Sequence, residues 1–398
     1  MAFFKLDSNI NQFNQVRITQ VYNFEWLSIF NSIKLQFGFQ LDRLSQFCCI
    51  IVVVVSSLVQ FYSLYYMKGE NRFQHFFGYI NFFSFSMMLL ILSSNLLQLF
   101  ICWEWMGLAS FLLINYYYNK ESANIAANKA FLITKFTDVF LFFGILILGI
   151  YLGSFDVQDI VGFNNITSGQ TLTNHKIFTD SFAGYSLFTI ALIFILMGCF
   201  GKSSMFPFHA WLPTAMEGPT PASALIHSAT MVVAGIILLA KLYPLIILSQ
   251  EALYLLRAIG LISAFLGAIM ACFQNDLKKV LAYSTISQIG LMYLSLGMNT
   301  NDDIGNLSYS ASLFHLFTQA FTKSALFLSA GIIIHFAHTN SIKAMGGYYK
   351  NLPYFHILFV ILLMSAVGLP FFSGYFSKEV IFEVAHNFSF TLNYALLV

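Results

Sequence analysis

Ten ionisable residues stand inside stretches that are otherwise apolar: Glu104, Lys129, Lys135, Asp138, Lys202, His227, His315, Lys323, Lys378 and Glu379. An ionised side chain at the centre of a bilayer costs about 2.5–3.5 kcal/mol on insertion scales, so each needs a physical reason to be there. A single one is explained by a lysine reaching for the membrane surface, or by half of a structural ion pair. Ten in one chain, several at mid-stretch, describe an internal polar path. Lys135 and Asp138 are three residues apart and can pair on one helix face, which suits a structural role as well as a functional one. His315, Gln319 and Lys323 recur every fourth residue and so share a face. That stripe supplies what a proton relay requires: donors and acceptors a hydrogen bond or one water apart. Interhelical hydrogen bonds that only hold helices together would leave the same stripe.

Two lysines sit beside helix breakers. In Gly201-Lys202-Ser203-Ser204-Met205-Phe206-Pro207, the proline removes a backbone donor and frees carbonyls in mid-membrane. The second case is Leu369-Pro370, followed by Gly374-Tyr375-Phe376-Ser377-Lys378-Glu379. Broken helices at matching places in two halves point to an ion pathway. The halves are expected at 76–247, with its break near 201–216, and at 252–398, with its break near 369–378. Pro219 and Pro221 suit the first turn of the stretch bearing His227.

The elements that must position these residues follow from composition. Of 398 residues, 9% are charged and 58% hydrophobic, against about 25% charged in an average chain, and mean hydropathy is +0.74. So few charges cannot cover a soluble surface, so the chain reads as an all-α polytopic membrane protein. Apolar runs long enough to cross about 30 Å of hydrocarbon fall near 46–66, 76–98, 100–118, 125–151, 183–205, 219–247, 252–273, 278–298 and 309–336. A tenth, 354–386, is interrupted at 369–374, and Phe388 to Val398 begins a further apolar helix. Residues 1–45 contain no clean span.

Loops after the first, third, seventh and ninth runs hold Lys68, Arg72, Lys120, Lys278, Lys279, Lys343 and Lys350. Those after the fourth and eighth hold Asp156, Asp159, Asp180, Asp302 and Asp303, with Lys176 their only Lys or Arg. By the positive-inside rule the first set faces the cytoplasm or mitochondrial matrix, and residues 1–45 face the other side.

Several functions are disfavoured. A net charge of +2 leaves no nucleic-acid footprint, and the five cysteines (Cys48, Cys49, Cys102, Cys199, Cys272) include no C-x-x-C, so neither zinc nor an iron–sulfur cluster is suggested. Gly198-Cys199-Phe200-Gly201-Lys202-Ser203 has two residues between its glycines where a phosphate-binding loop needs four, and it lies in an apolar helix. Asn165-Ile166-Thr167 is a glycosylation sequon by pattern only. No signal or Arg-rich transit peptide opens the chain. The 46 Phe, with many Ile, Asn and Tyr, suit an AT-rich organellar genome.

Taken together the motifs resemble the antiporter-like subunits of respiratory complex I, from about Phe39 to Val398. Four stretches carry the resemblance: Trp103-Glu104-Trp105-Met106-Gly107-Leu108; Gly201-Lys202-Ser203 through Trp211-Leu212-Pro213; Glu217-Gly218-Pro219-Thr220-Pro221 through Ser223-Ala224-Leu225-Ile226-His227; and Gln274-Asn275-Asp276-Leu277-Lys278-Lys279-Val280-Leu281-Ala282-Tyr283-Ser284-Thr285. The Glu217–Pro221 segment and Ser287-Gln288-Ile289-Gly290 resemble the chain-5 (bacterial subunit L) branch more than its sister chains 4 and 2. The resemblance implies an antiporter-like fold with two inverted five-helix repeats, the second incomplete.

It also implies roles. Glu104 matches the family's coupling glutamate, Lys202 the lysine of the first broken helix that pairs with it, and His227 the bridging histidine. His315 and Lys323 match the central histidine and lysine. Lys378 matches the lysine of the second broken helix near the proton exit, with Glu379 where many members have Asp. Asp138 matches a further acid and Lys135 a basic position beside it. Gln319 departs from the pattern, standing where a second histidine is usual; an amide takes up no proton, so water must carry that step. Relatives also begin with two more helices and continue past Val398, so separate polypeptides are expected to supply those helices.

The implied function is proton pumping as a subunit of NADH:ubiquinone reductase, without a redox centre of its own. NAD, FMN, iron–sulfur clusters and ubiquinone would belong to other subunits. The partners would be membrane-arm subunits, above all the chain-4-like neighbour, and membrane lipids, and the location the mitochondrial inner membrane. Charges 4 Å apart at an effective dielectric of about 20 interact by about 4 kcal/mol, so moving Glu104 relative to Lys202 would switch the lysine between holding and releasing a proton. The proton would pass by water, His227 and His315 to Lys323 and then Lys378. The alternatives are a cation/proton antiporter subunit of the Mrp type, a structural membrane-arm component, and another antiporter-like subunit of complex I.

Overall fold

The computed structural model describes residues 20–29, 33–166, 176–182, 184–299, 303–347, 350 and 353–395. A strand pair, β1 (Gln20–Ile29) and β2 (Ile33–Leu41), runs antiparallel with a register shift between Glu25 and Leu27. Four long helices follow: α1 (Arg43–Tyr66), α2 (Phe73–Leu92), α3 (Leu96–Ile114) and α4 (Glu121–Leu152). Side-chain caps start two of them, with Asp42 Oδ1 accepting from Ser45 N at 2.6 Å and Asn95 Oδ1 from Leu97 N at 2.8 Å. A connector holds α5 (Val157–Ile166), α6 (Lys176–Thr179) and the two-residue strands β3 (Ser181–Phe182) and β4 (Tyr185–Ser186).

Next, α7 (Leu187–Lys202) stops at its lysine, and the chain continues through short 3-10 turns at Phe208–Trp211 and Thr214–Glu217. Then come α8 (Thr220–Ser228), α9 (Met231–Lys241), α10 (Tyr243–Ile246), α11 (Gln250–Cys272), α12 (Leu277–Gly297), α13 (Asp303–Ala337), α14 (Pro353–Val367) and α15 (Ser373–Ala395). Among the described residues eight helical stretches are long and apolar enough to cross a membrane, and α7 and α14 are shorter apolar helices. These coincide with the nine expected runs and the interrupted tenth. The chain is a multi-pass membrane protein.

Contacts sort the loops into two ends. At one, the Arg72 guanidinium lies 4.7 Å from the Tyr118 ring centre, Ser122 Oγ donates to Glu217 Oε2 at 3.1 Å, and Lys278 Nζ donates to Met216 O at 2.6 Å. At the other, Asn95 Nδ2 donates to Asp156 Oδ1 at 3.1 Å and Lys241 Nζ to Ser93 O at 3.0 Å. The lysine-rich and aspartate-rich loops thus occupy opposite ends. The Asp156 carboxyl is pushed up by partial burial, which outweighs the Asn95 hydrogen bond.

Helix α8–α9 is wholly enclosed and forms the centre, while α11 is the most exposed span. Outward positions on α1 (Ile50, Phe61), α4 (Leu132, Phe136) and α11 (Leu261, Phe265) are apolar and exposed, as a lipid-facing surface requires. Small residues let backbones touch. A Cβ on Gly290 would lie 2.6 Å from Ala264 N, which places α12 directly against α11.

Three expectations change. The run 219–247 is not one helix, because it breaks at Ala229–Thr230, where Thr230 Oγ1 donates to Leu225 O at 2.7 Å and Thr230 leaves the helical region at φ −125°, ψ −100°. No proline or glycine marks that break. Residues from Phe388 do not begin a separate helix; α15 runs on through them to Ala395, since neither Pro nor Gly interrupts 375–395. Residues 20–29 and 33–41, expected only to lack a span, form an antiparallel strand pair. Thr167 of the sequon and Asp302 lie outside the described residues.

Candidate functional site

The first cluster forms where α3, α4 and the end of α7 meet. Lys202 ends α7 with its ammonium fully enclosed, and Asp138 on α4 approaches it, Nζ to Oδ2, at 3.5 Å, with 0% and 1% side-chain exposure. Trp103 on α3 donates from Nε1 to Asp138 Oδ1 at 2.7 Å, and its ring lies 5.7 Å from Lys202 Nζ. Room for the ammonium comes from Gly107, where a Cβ would sit 2.6 Å from Nζ. Glu104 pairs instead with Lys135, and both are partly exposed on the outer flank.

This corrects two pairings. The expected Glu104–Lys202 pair is replaced by Asp138–Lys202, and Lys135 and Asp138 do not pair with each other. The cause is helical geometry: adjacent residues diverge, so Trp103 faces the interior while Glu104 faces the flank, and α4 likewise buries Asp138 but leaves Lys135 at the edge. Lys135 still lies within electrostatic reach of Lys202 and Asp138, so the two pairs form one quartet.

At the centre, the His227 ring on α8 packs on Phe327 of α13 with centroids 4.9 Å apart. Lys323 and Lys278 lie within its electrostatic reach. Lys323 Nζ donates to Ser284 Oγ on α12 at 2.5 Å. One turn away from Lys323, Gln319 is buried on the expected stripe.

The second break closes the path. His315 Nδ1 lies 2.9 Å from Ser377 Oγ on α15, and Nε2 lies 3.1 Å from Gln288 Oε1 on α12. Lys378 Nζ donates to Ala366 O at 2.7 Å and Val367 O at 3.0 Å, the carbonyls freed where α14 ends. Lys323 and Lys378 are both within reach of His315. Glu379 is exposed, and Lys129 lies off the path, near His209.

Lys202 Nζ, Asp138 Oδ2, both His227 ring nitrogens and Gln319 Oε1 are buried with no hydrogen-bond partner among the described residues. An unpaired buried polar group costs about 1–3 kcal/mol, so the His227 nitrogens and Gln319 Oε1 call for water, while Lys202 Nζ and Asp138 Oδ2 face each other as the ion pair.

Sequence reasoning missed Trp103, Lys278, Ser284, Gln288, Tyr293 and Ser377. Tyr293, fully buried, donates to Ser203 Oγ at 2.8 Å beside Lys202. Trp103, Lys278, Ser284, Gln288 and Ser377 lie inside quoted motifs, which was the available signal; Tyr293 looks like any core aromatic. Among the described residues no group of three or more His, Cys, Asp or Glu could hold a metal, and the cysteines are free.

Against known proteins, the family described as NADH:quinone oxidoreductase/Mrp antiporter, transmembrane, matches residues 93–398, and that of the NADH-ubiquinone oxidoreductase (complex I) chain 5 N-terminus matches 26–77. The chain is 40% identical to NADH-ubiquinone oxidoreductase chain 5 of Acanthamoeba castellanii, over 91% of this chain and 52% of that one. It is 39% identical to chloroplastic NAD(P)H-quinone oxidoreductase subunit 5 of Manihot esculenta, over 96% and 49% respectively. It is also 39% identical to NADH-quinone oxidoreductase subunit L of Neisseria meningitidis, over 91% and 52%. The chain thus spans about half the length of these relatives. Among solved structures it resembles the Mrp complex from Dietzia sp. DQ12-45-1b, with a TM-score of 0.80 and 29% identity, covering 92% of this chain and 38% of that one.

Proposed function

The chain belongs to the family of NADH:quinone oxidoreductase and Mrp antiporter transmembrane subunits, and from that premise we propose that it is a proton-translocating membrane-arm subunit of NADH:quinone oxidoreductase. The observation that carries this reading is the row of buried titratable groups, Lys202 with Asp138, then His227, Lys323 and His315, in which both His227 ring nitrogens lack a hydrogen-bond partner among the described residues. A scaffold would pair the His227 nitrogens with protein, whereas a proton path leaves them to water.

Lys202 holds its proton while Asp138 stands beside it. At 3.5–4 Å and an effective dielectric of about 20 that attraction is about 4 kcal/mol, so a small displacement of Asp138 releases the proton to water. Glu104 acts through Lys135, one turn from Asp138: drawing Lys135 outward removes a positive charge from Asp138 and tightens its hold on Lys202. The proton then passes His227, reaches Lys323 and, reversing the expected order of the last two steps because His315 faces the second break, leaves by His315 and Lys378. The driving energy comes from quinone reduction in other subunits, which also hold NAD, FMN and iron–sulfur clusters. A chain-4-like neighbour stands against this subunit. The Phe- and Asn-rich composition supports a mitochondrial inner membrane location, with the lysine-rich end towards the matrix.

Lys202→Met in the assembled complex is expected to lower protons moved per NADH while the complex still assembles, read by dye quenching in vesicles against NADH oxidation. Unchanged stoichiometry would overturn the reading. Sodium-dependent transport without NADH oxidation would identify an Mrp-type role instead.

A further inference from the structure

One hydroxyl at the second break is placed to do more than hold a helix. Ser377 is fully buried in the second turn of α15. Its Oγ lies 2.9 Å from His315 Nδ1, 3.0 Å from Thr318 Oγ1 and 3.3 Å from Gly374 O. The other ring nitrogen of His315 faces Gln288 Oε1 at 3.1 Å. The imidazole is therefore clamped at both nitrogens, by α12 on one side and α15 on the other. With Nε2–H donating to the amide oxygen, Nδ1 accepts the Ser377 proton; once the ring takes up a second proton, Nδ1 becomes a donor and Ser377 its acceptor.

Its neighbours are poorer carriers. Gln319, the next polar residue along α13 towards Lys323, has an amide that neither binds nor releases a proton at neutral pH, and its Oε1 has no partner among the described residues. The Thr318 hydroxyl donates to the backbone at His315 O, 3.0 Å away, and a carbonyl passes nothing on. Among the described residues, Ser377 makes the hydrogen bond that joins the histidine to the segment that carries Lys378. Beyond it, the Ala366 and Val367 carbonyls already accept from Lys378 Nζ at 2.7 and 3.0 Å, so the break is prepared to stabilise an ammonium there.

We propose that Ser377 is a proton-carrying residue of the relay, passing the proton from His315 across the interruption between α14 and α15 to Lys378. The step balances. The His315 Nδ1–H bond breaks as an O–H bond forms on Ser377; the original Ser377 O–H breaks, and its proton passes by water to the neutral Lys378 amine, which becomes an ammonium. Serine ends neutral, and its hydroxyl turns back to Nδ1 for the next cycle.

This inference rests on the pumping function proposed above, and the test separates the two. Assembled complexes bearing Ser377→Ala, Ser377→Thr, Ser377→Val and Lys323→Met are compared in vesicles for protons moved per NADH and for the solvent deuterium effect on proton uptake. The expected result is that Ala and Val fall to the Lys323→Met value, while Thr, which keeps a hydroxyl, stays at wild type in both measurements. A purely structural serine would not require a hydroxyl for stoichiometry in complexes that have assembled. Wild-type stoichiometry in Ala or Val, or a Thr variant as low as Ala, overturns the proposal. Should Ala fail to assemble, Thr and Val, alike in shape, decide. If Lys323→Met also pumps normally the pumping function itself fails; if it does not and Ser377→Ala does, only the serine step is lost.

Discussion

A lysine and a carboxylate sealed from solvent depend on each other. Removing one partner of a buried pair costs about 3–5 kcal/mol, unless the remaining group gives up its charge. Lys202 is expected to take the second course when Asp138 is lost, becoming a neutral amine that cannot deliver a proton. Asp138→Asn should therefore abolish pumping, whereas Glu104→Gln, which leaves the Lys202–Asp138 contact in place, should only weaken it. Initial rates of dye quenching in vesicles check the order, and the reverse order would reject the pairing. Trp103→Phe keeps the packing but withdraws the donor 2.7 Å from Asp138 Oδ1. A charge-assisted hydrogen bond is worth about 1.5–3 kcal/mol, so this variant should shift the pH dependence of proton uptake without changing complex content.

At the level of elements, the breaks do the positioning. The first is tight: a Cβ on Gly201 would fall inside the Thr137 side chain, so α7 meets α4 with no room to spare just before Lys202. The second is equally close, since a Cβ on Gly374 would collide with the Ser365 carbonyl. Overpacking costs about 1–3 kcal/mol, and here it would also splay the half-helices that aim Lys202 and Ser377. Gly201→Ala and Gly374→Ala are expected to lower pumping and complex content together on native gels. Gly78→Ala on α2, where nothing lies within 4 Å, should leave both unchanged. Thr230→Val removes the hydroxyl that takes up Leu225 O and should destabilise α8, with His227 the first group to be misplaced.

Across the whole molecule, the two halves are tied by a lysine absent from the expected relay. Lys278 starts α12 in the second half, and its Nζ donates to Met216 O at 2.6 Å and Gly218 O at 2.8 Å in the first-half break. It does at that break what Lys378 does at the second. Lys278→Met would leave two buried carbonyls unpaired, at about 1–3 kcal/mol each. It is expected to shorten the thermal inactivation half-time of the complex, with Lys278→Arg restoring part of it; an unaltered half-time in the methionine variant would reject the tie.

The membrane-spanning character, the ten apolar stretches and both proline- or glycine-marked breaks were legible in the chain, because cost in lipid is local: each run or breaker declares itself by its own chemistry. The chain likewise singled out Lys202, His227, His315, Lys323 and Lys378, since a charge in an apolar run stands out against its neighbours. Partnership was not legible. Whether Lys202 meets Glu104 or Asp138 depends on which faces of α3, α4 and α7 turn inward, and a period of 3.6 places both carboxylates within plausible reach. The Thr230 break, the Ser377–His315 contact and the Lys278 cap likewise join residues distant in sequence or rely on a hydroxyl no pattern distinguishes, so only the packed bundle decides them.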